Sequence, residues 1–441
     1  MHAARRASVT CDAFSIATAG SGGVQRSSLH ASLIPEMLMR SIAVAVLFVA
    51  ANACAQAPRP TVPAVIPGVE ALAASTPPVL RGKRVGLITN QSGMDRDRRS
   101  TIDIMAQSRD YRLVALFSPE HGIRGTAQDG ARIASGRDER SGLPVYSLYG
   151  ATNKPTPAML DSVDALVYDI QDVGVRQYTY ISTLGKCMEA AAEKGIPFVV
   201  LDRPDAVTGN ILEGGILDTA YRTFVGAYPI VSRYGMTIGE LSRLINANSS
   251  THANLTVVPL AGWRRDMWLD ETGLPFIAPS PNLPRMEAII SYPGTVYIEG
   301  TNLSEGRGTD FPFEQVGAPW LEADSIASIM NARALPGVRF EPAHYTPRAG
   351  TGKYPGVPLN GVRIVVTNRA AYRPITTALL LIDAVHTLQP TQFAWSGSID
   401  RLAGTDQLRK AIEAHTLPAL LQQWESESAA FADARRPYLL Y

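Results

Sequence analysis

Asp164-Ala-Leu-Val-Tyr-Asp-Ile170, a helical pattern over about 179–194, and Pro197-Phe-Val-Val-Leu-Asp202 follow one another directly. Two short, continuous apolar runs joined by a helix read as parallel strands buried on both faces, because a half-exposed strand would alternate polar and apolar residues. The same pattern extends upstream. Arg84-Val-Gly-Leu-Ile-Thr-Asn90 reads as a strand, 99–109 as a helix and Arg112-Leu-Val-Ala-Leu-Phe-Ser118 as a strand, followed by Pro144-Val-Tyr-Ser-Leu-Tyr149 and a helix near 156–163. The expected fold class is α/β: a Rossmann-like parallel-sheet domain over 81–260 and a second, smaller α+β domain over 261–441. In that second part, residues 262–318 carry few helical signals but much Pro and Gly. A helix near 320–333, strands near 338–343 and 361–368, a helix at 375–388 and further helical segments follow.

Upstream of the sheet the composition changes. Arg40 precedes the apolar run Ser41–Ala50, and small residues continue to Ala57, just before Pro58. A positive flank, about ten apolar residues and small-x-small sites read as a secretory signal peptide, and the run is short for a membrane-spanning helix. Residues 1–57 are therefore expected to be an over-extended start plus signal peptide, with Met37 or Met39 the more natural initiator and 58–80 a Pro- and Ala-rich linker. Ala-Asn-Ala-Cys54 offers a second reading, a lipoprotein acylation site, but lacks Leu at the usual place. The expected location is the periplasm or another exported compartment.

The 441 residues include 41 Lys+Arg and 40 Asp+Glu, a formal net charge of +1, so no basic excess suggests a nucleic-acid binder. Of the three cysteines, only Cys187 would survive cleavage after Ala57. One thiol makes no internal disulfide, and Cys187 reads as a small core residue.

In open parallel sheets, ligands bind outside the carboxyl ends of the strands. Those ends read Ser118-Pro-Glu-His-Gly122, Asp169-Ile-Gln-Asp172 running on to Arg176 and Tyr180, and Asp202-Arg-Pro-Asp205. Carboxylates gathered on one rim repel, so at least one should titrate high. Asp172 and Asp205 can also be read as helix caps, whereas Glu120 has no helical pattern after it to cap. A second concentration runs from Tyr297-Ile-Glu-Gly-Thr-Asn302 through Ser304-Glu-Gly-Arg-Gly308 to Asp310. Its glycines allow tight turns and close approach to a ligand, and its polar side chains suit sugar hydroxyls. A solvated loop is the alternative. No Gly-x-Ser-x-Gly elbow, Walker loop or dinucleotide fingerprint occurs, and the histidines show no paired ligand spacing. These features point to a carboxylate-driven site with no cofactor and no metal.

Five segments, Gly86–Gly93, Ser118–Gly125, Tyr168–Arg176, Leu201–Pro204 and Glu299–Thr309, resemble the exo-acting β-N-acetylmuramidases of the NamZ type, long catalogued as a domain of unknown function. The resemblance runs from about residue 82 to Tyr441 and departs at Gln177, where an aromatic residue is expected. It implies a Rossmann-like domain plus a smaller one, and release of N-acetylmuramic acid from the non-reducing ends of peptidoglycan fragments. Glycoside hydrolysis needs a protonated carboxyl and a second carboxylate, unless the substrate's acetamido group replaces the latter. Glu120 is the expected acid, and Asp169, Asp172, Glu299 and Glu305 are the possible partners. Asn90, His121, Gln171, Arg176, Tyr178, Asp202, Arg203, Asn302 and Arg307 are the substrate-binding candidates. Among them Arg176, Arg203 and Arg307 could match the lactyl carboxylate of muramic acid with a guanidinium fork. The expected partner is a peptidoglycan-derived glycan or muropeptide, with no nucleic acid and no integral membrane segment in the mature chain. A periplasmic sugar- or muropeptide-binding protein without catalysis, or a metal-dependent hydrolase using the acidic rim, are the competing readings.

Overall fold

A computed structural model describes residues 65–441 apart from 126–130 and 132–133. The expected over-extended start, signal peptide and Cys54 acylation site lie outside the described residues, as does the linker up to residue 64. A seven-stranded sheet is built from β1 (Arg84–Thr89), β2 (Arg112–Ser118), β3 (Gly136–Arg137), β4 (Pro144–Ser147), β5 (Ala165–Asp169), β6 (Phe198–Leu201) and β7 (Leu255–Val258). Its order is β3-β4-β2-β1-β5-β6-β7, parallel throughout except for β3 against β4.

The double burial read from the sequence has a direct counterpart in the packing. Ile88, Phe117, Leu166, Tyr168, Phe198 and Val200 face one core, together with α3 (Tyr180–Lys194) and α4 (Ile238–Ala247). Their chain neighbours Leu87, Leu116, Val167, Val199 and Leu201 face the opposite core, against α1 (Gly68–Ala74) and α2 (Thr101–Ala106). Strand side chains alternate sides, so only a helix layer on each face can bury both sets. Near 156–163 the expected helix is a single 3₁₀ turn, Ala158–Leu160. Pro155 and Pro157 remove two backbone donors from that stretch and restrict the residues before them.

The second, antiparallel sheet has β8 (Gln315–Ala318), β9 (Val338–Tyr345) and β10 (Leu359–Val366) in the order β8-β10-β9, covered by α6 (Ala323–Ala332). Beside it α5 (Met286–Thr295) crosses α7 (Pro374–Leu388), and α8 (Ile399–Ala403), α9 (Gln407–Glu413) and α10 (Leu417–Ala434) follow. Helix α5 falls in the stretch expected to hold few helices. It is apolar on nearly all sides and contains Pro293, so neither amphipathic spacing nor propensity marks it. Gly294 makes the crossing possible: a β-carbon there would stand 1.9 Å from the Pro374 carbonyl oxygen.

The C-terminal segment returns to the first sheet. Arg435 donates to the carbonyls of Gly209 and Gly235, Arg243 to those of Tyr438 and Leu439, and the Tyr441 hydroxyl to Asp202 Oδ2 at 2.7 Å. No helix among the described residues is long and apolar enough to cross a membrane.

Candidate active site

Strand order reverses between β1 and β5, the usual place for a ligand crevice in such a sheet. Here that point is closed. Asp169 at the end of β5 is fully buried and gripped by Arg203 through Nε–Oδ1 at 2.5 Å and Nη2–Oδ2 at 2.9 Å, and Thr101 donates to the same carboxylate. Asp172 accepts from Gly174 N at 2.8 Å and from the Tyr234 hydroxyl. Asp202 accepts from Thr237 Oγ1, Gly239 N and Tyr441. Arg176, with no measurable exposure, donates to three carbonyls: Gly215 and Ile230 through Nη1, and Ala403 through Nη2. Gln171 donates to the carbonyls of Asp172 and Pro204, and Asn302 clasps residues 392 and 394. Asn90 accepts from both donors of Ser92 and adjoins Tyr180.

These eight side chains hold the fold together and do not line the cleft described next. Asp169 and Asp172 were candidate catalytic partners, and the other six were candidate substrate contacts. Asn302 is half-exposed and serves only to tie the loop at 392–394, whereas the strand-end groups share one physical reason. Segments around 204–217 and 230–237 lie over the central strand ends, so the polar groups there are buried and must be satisfied internally.

Burial also raises the titration of this set. Asp172 is pushed up to about 6, Asp202 to about 7 and Asp205 to about 7, in each case chiefly by burial. Raised carboxyls were expected from crowding on an open rim, but they arise from desolvation beneath it.

The cleft opens farther along the sheet edge, at the end of β2, and encloses about 530 Å³. From the first sheet it receives Glu120 and His121. The turn after Ser118 closes with Gly122 N to the Pro119 carbonyl at 3.1 Å and holds His121 at φ 67°, a conformation costly for a residue with a β-carbon. From the second concentration of polar residues come Glu299, Glu305 and Arg307. Of the fourteen candidates, then, Glu120, His121, Tyr178, Glu299, Glu305 and Arg307 share one cavity.

Arg307 organises the far wall. Its Nη2 meets Glu299 Oε1 at 2.9 Å, its Nη1 meets Glu305 Oε1 at 3.0 Å, and the guanidinium lies 4.7 Å from the centre of the Phe313 ring. Lys353 stands 3.3 Å from Glu305 Oε2 and donates to the carbonyls of Ile298, Thr301 and Leu303. Burial works against the Glu305 charge, but Arg307 and Lys353 outweigh it and hold the carboxyl below its ordinary value. Tyr178, Tyr292 and Phe313 form an edge-to-face series, with centroids 5.9 and 4.8 Å apart. Sugar rings pack well against such faces, since both present C–H and apolar surface beside a polar rim.

Several cleft residues escaped the sequence reading: Tyr149, Thr179, Ser280, Asn282, Tyr292, Phe313 and the Gly350–Gly352 turn. Ser280 and Asn282 had a visible signal, two polar residues among Pro279, Pro281 and Pro284, where proline stiffens a loop. Lys353 had none. A larger hollow of about 1030 Å³ lies beside α3, α4 and α10, but its Glu189 is already paired with Lys154 and Lys186.

Acidic side chains from two lobes, an aromatic wall and a sugar-sized cavity define the class: a two-domain α/β glycoside hydrolase. The chain belongs to the exo-β-N-acetylmuramidase NamZ family, whose N-terminal model matches residues 85–287 and whose C-terminal model matches 290–441. It is 47% identical over 382 residues to the peptidoglycan β-N-acetylmuramidase NamZ of Bacillus subtilis (strain 168), covering 86% of this chain and 92% of that one. Two crystal structures of DUF1343 family proteins from Bacteroides fragilis are similar. One has a TM-score of 0.80 at 36% identity, covering 87% of this chain and all of the other. The second has a TM-score of 0.68 at 32% identity, covering 86% and 99%.

The buried acids give the fold a pH signature. A carboxyl raised by burial binds its proton more tightly in the folded chain than in the unfolded one. Its stabilising contribution is present in acid and is lost as pH rises through the folded value. For Asp172, Asp202 and Asp205 that window runs from about pH 4, the ordinary Asp value, to about 7. The urea midpoint should therefore fall between pH 5 and pH 7.5, and Asp202→Asn should flatten the slope. A midpoint that rises across this interval would contradict the assignment.

Proposed function

We propose that the cleft is the catalytic centre of an exo-β-N-acetylmuramidase that removes terminal non-reducing N-acetylmuramic acid from peptidoglycan fragments. The observation that carries this reading is the meeting of Glu120, from the first sheet, with Glu299, Glu305 and Arg307 in one sugar-sized cavity of a NamZ-family chain. Glu120 is the general acid for the leaving oxygen. Glu305 is 2% exposed and has a cation on each oxygen, which suits it to fixing Arg307. Glu299 is the more exposed of the two, so we assign it as the partner carboxylate.

A chromogenic β-N-acetylmuraminide provides the test, run with and without chelator. Wild-type protein should release product equally in both, whereas a non-catalytic binding protein would give none and a metal-dependent hydrolase would lose activity on chelation. Glu120→Gln should lower turnover on a sugar leaving group by about a hundredfold or more while the fold stays intact. A very acidic leaving group should recover much of the rate. Near-normal activity of Glu120→Gln on the sugar leaving group removes it from this role. Glu299→Gln should lose turnover while keeping its melting temperature, and Glu305→Gln should lose stability as well, because Arg307 and Lys353 lose the buried carboxylate that pairs with both.

Selectivity for muramic acid over glucosamine rests on the lactyl carboxylate. With Arg176 and Arg203 committed to the fold, Arg307 is the guanidinium placed to read it, the incoming carboxylate exchanging with Glu299 at Nη2. Discrimination from such a contact is on the order of 2–5 kcal/mol. Arg307→Ala should lower the ratio of kcat/KM for muraminide over glucosaminide, and an unchanged ratio would assign the lactyl group to another reader.

The work of such an enzyme on cell-wall fragments suits an exported protein, and Arg40 with the run to Ala57 supports that location. Mass spectrometry of the native protein should find a mature N-terminus near Pro58. An uncleaved chain would argue against export, and a diacylated Cys54 would make it a lipoprotein.

A further inference from the structure

The N-terminus of α3 holds a residue whose chemistry is spent in an unusual way. Thr179 occupies the position before Tyr180, and its carbonyl accepts from the backbone N–H groups of Ser182 and Thr183 at 3.0 Å each. Threonine at such a position normally adopts an extended backbone and turns its hydroxyl onto a free N–H of the first helical turn. Here the backbone is already helical (φ −71°, ψ −9°), and the side chain makes no capping hydrogen bond. Its hydroxyl instead donates to Oε2 of Glu120 at 2.7 Å, across 59 residues of sequence. Thr179 itself lines the cleft. Thr237 shows the ordinary use in the same molecule, since at the start of α4 its hydroxyl accepts from Glu240 N in a capping box.

A glutamate has three side-chain torsions, and a general acid works only if the proton-bearing oxygen faces the leaving group. A hydroxyl that donates to one carboxyl oxygen fixes the rotation of the whole group. So long as the hydroxyl donates to Oε2, that oxygen is the carbonyl oxygen of the protonated acid. The other oxygen, Oε1, then carries the O–H. We propose that Thr179 is a positioning residue that pins Glu120 Oε2 and so makes Oε1 the oxygen that delivers the proton to the glycosidic oxygen. This rests on the assignment of Glu120 as general acid. In the step itself, the Oε1–H bond breaks as the leaving oxygen gains the proton, and Oε2 keeps its hydrogen bond from Thr179 throughout. The carboxylate left behind gains a second strong acceptor oxygen without having to turn.

Valine has nearly the shape of threonine and lacks the donor, and no capping bond is lost with it. Thr179→Val should therefore fold with an unchanged melting temperature. On a muraminide with a sugar leaving group, its kcat should fall by about tenfold or more while KM moves by less than about threefold. With a nitrophenyl leaving group, which needs little protonation, the loss should shrink several-fold. Thr179→Ser restores the donor and should recover most of the rate. The double variant Thr179→Val with Glu120→Gln should be no slower than Glu120→Gln alone. The proposal is overturned if Thr179→Val keeps wild-type kcat on the sugar leaving group. It is equally overturned if both leaving groups lose rate alike, if serine does not rescue, or if the two substitutions act additively. Normal activity of Glu120→Gln alone would instead fault the choice of acid, and Thr179 would then lose its role with it.

Discussion

The pairing of Arg203 with Asp169 settles where this molecule can have a cleft. Two charges with almost no exposure sit at the point where strand order reverses, and each is matched almost completely: both carboxylate oxygens meet the guanidinium fork, Thr101 adds a donor, and Nη2 also reaches the Met94 carbonyl. A buried pair of this kind tolerates no missing partner, because the charge left behind would be stranded away from water. It therefore ties the ends of β5 and β6 to the start of α2 and seals the crevice an open sheet would otherwise offer. The ligand space is displaced toward the end of β2, where only Glu120 and His121 come from the strand ends. The connections after β4 and β5 add Tyr149, Tyr178 and Thr179, and loops of the other lobe bring Glu299, Glu305 and Arg307.

The parallel sheet was legible because burial on both faces leaves a mark in single residues: Leu87 and Ile88, or Val167 and Tyr168, are all apolar yet face opposite cores. Helix α5 was not, because a segment buried on every side, with Pro293 in its last turn, has no amphipathic rhythm to read. The site was legible to a similar degree. The turn at Ser118–Gly122 and the Gly-rich stretch at 299–307 supply cleft residues, as their density of charge and glycine suggested. The strand-end acids Asp169, Asp172 and Asp202 have the same composition and a different fate. A carboxylate at a strand end looks alike in sequence whether water or Tyr234 lies above it, and only the covering segments decide. Thr179 and Lys353 were silent for the opposite reason. Their partners, Glu120 and the carbonyls of Ile298, Thr301 and Leu303, lie tens of residues away.

Two populations of carboxyl groups result. Beneath the sheet ends, burial favours the neutral form of Asp172, Asp202 and Asp205. In the cleft wall, Arg307 and Lys353 keep Glu305 ionised despite equally deep burial. The difference lies in the balance: Asp172 and Asp202 have only hydroxyl and amide donors, burial outweighs the pull of Arg233 and Arg435 on Asp205, and two cations outweigh burial at Glu305. Buried negative charge is thereby kept where a cation meets it, at Asp169 under the sheet ends and at Glu305 in the cleft wall.

The return of the last residues to the first sheet has a topological consequence. Ile66 exchanges backbone hydrogen bonds with Ala261, and the Tyr441 hydroxyl accepts from Leu260 N, so the first and last described segments clasp the same short stretch. Val65 and Tyr441 share one small apolar cluster with Leu260, Trp263 and Met267. Residues 65–441 are in effect a ring with one bond left open. In a chain trimmed to residues 65–441, a short linker could close that bond and new ends could be cut in an exposed loop elsewhere.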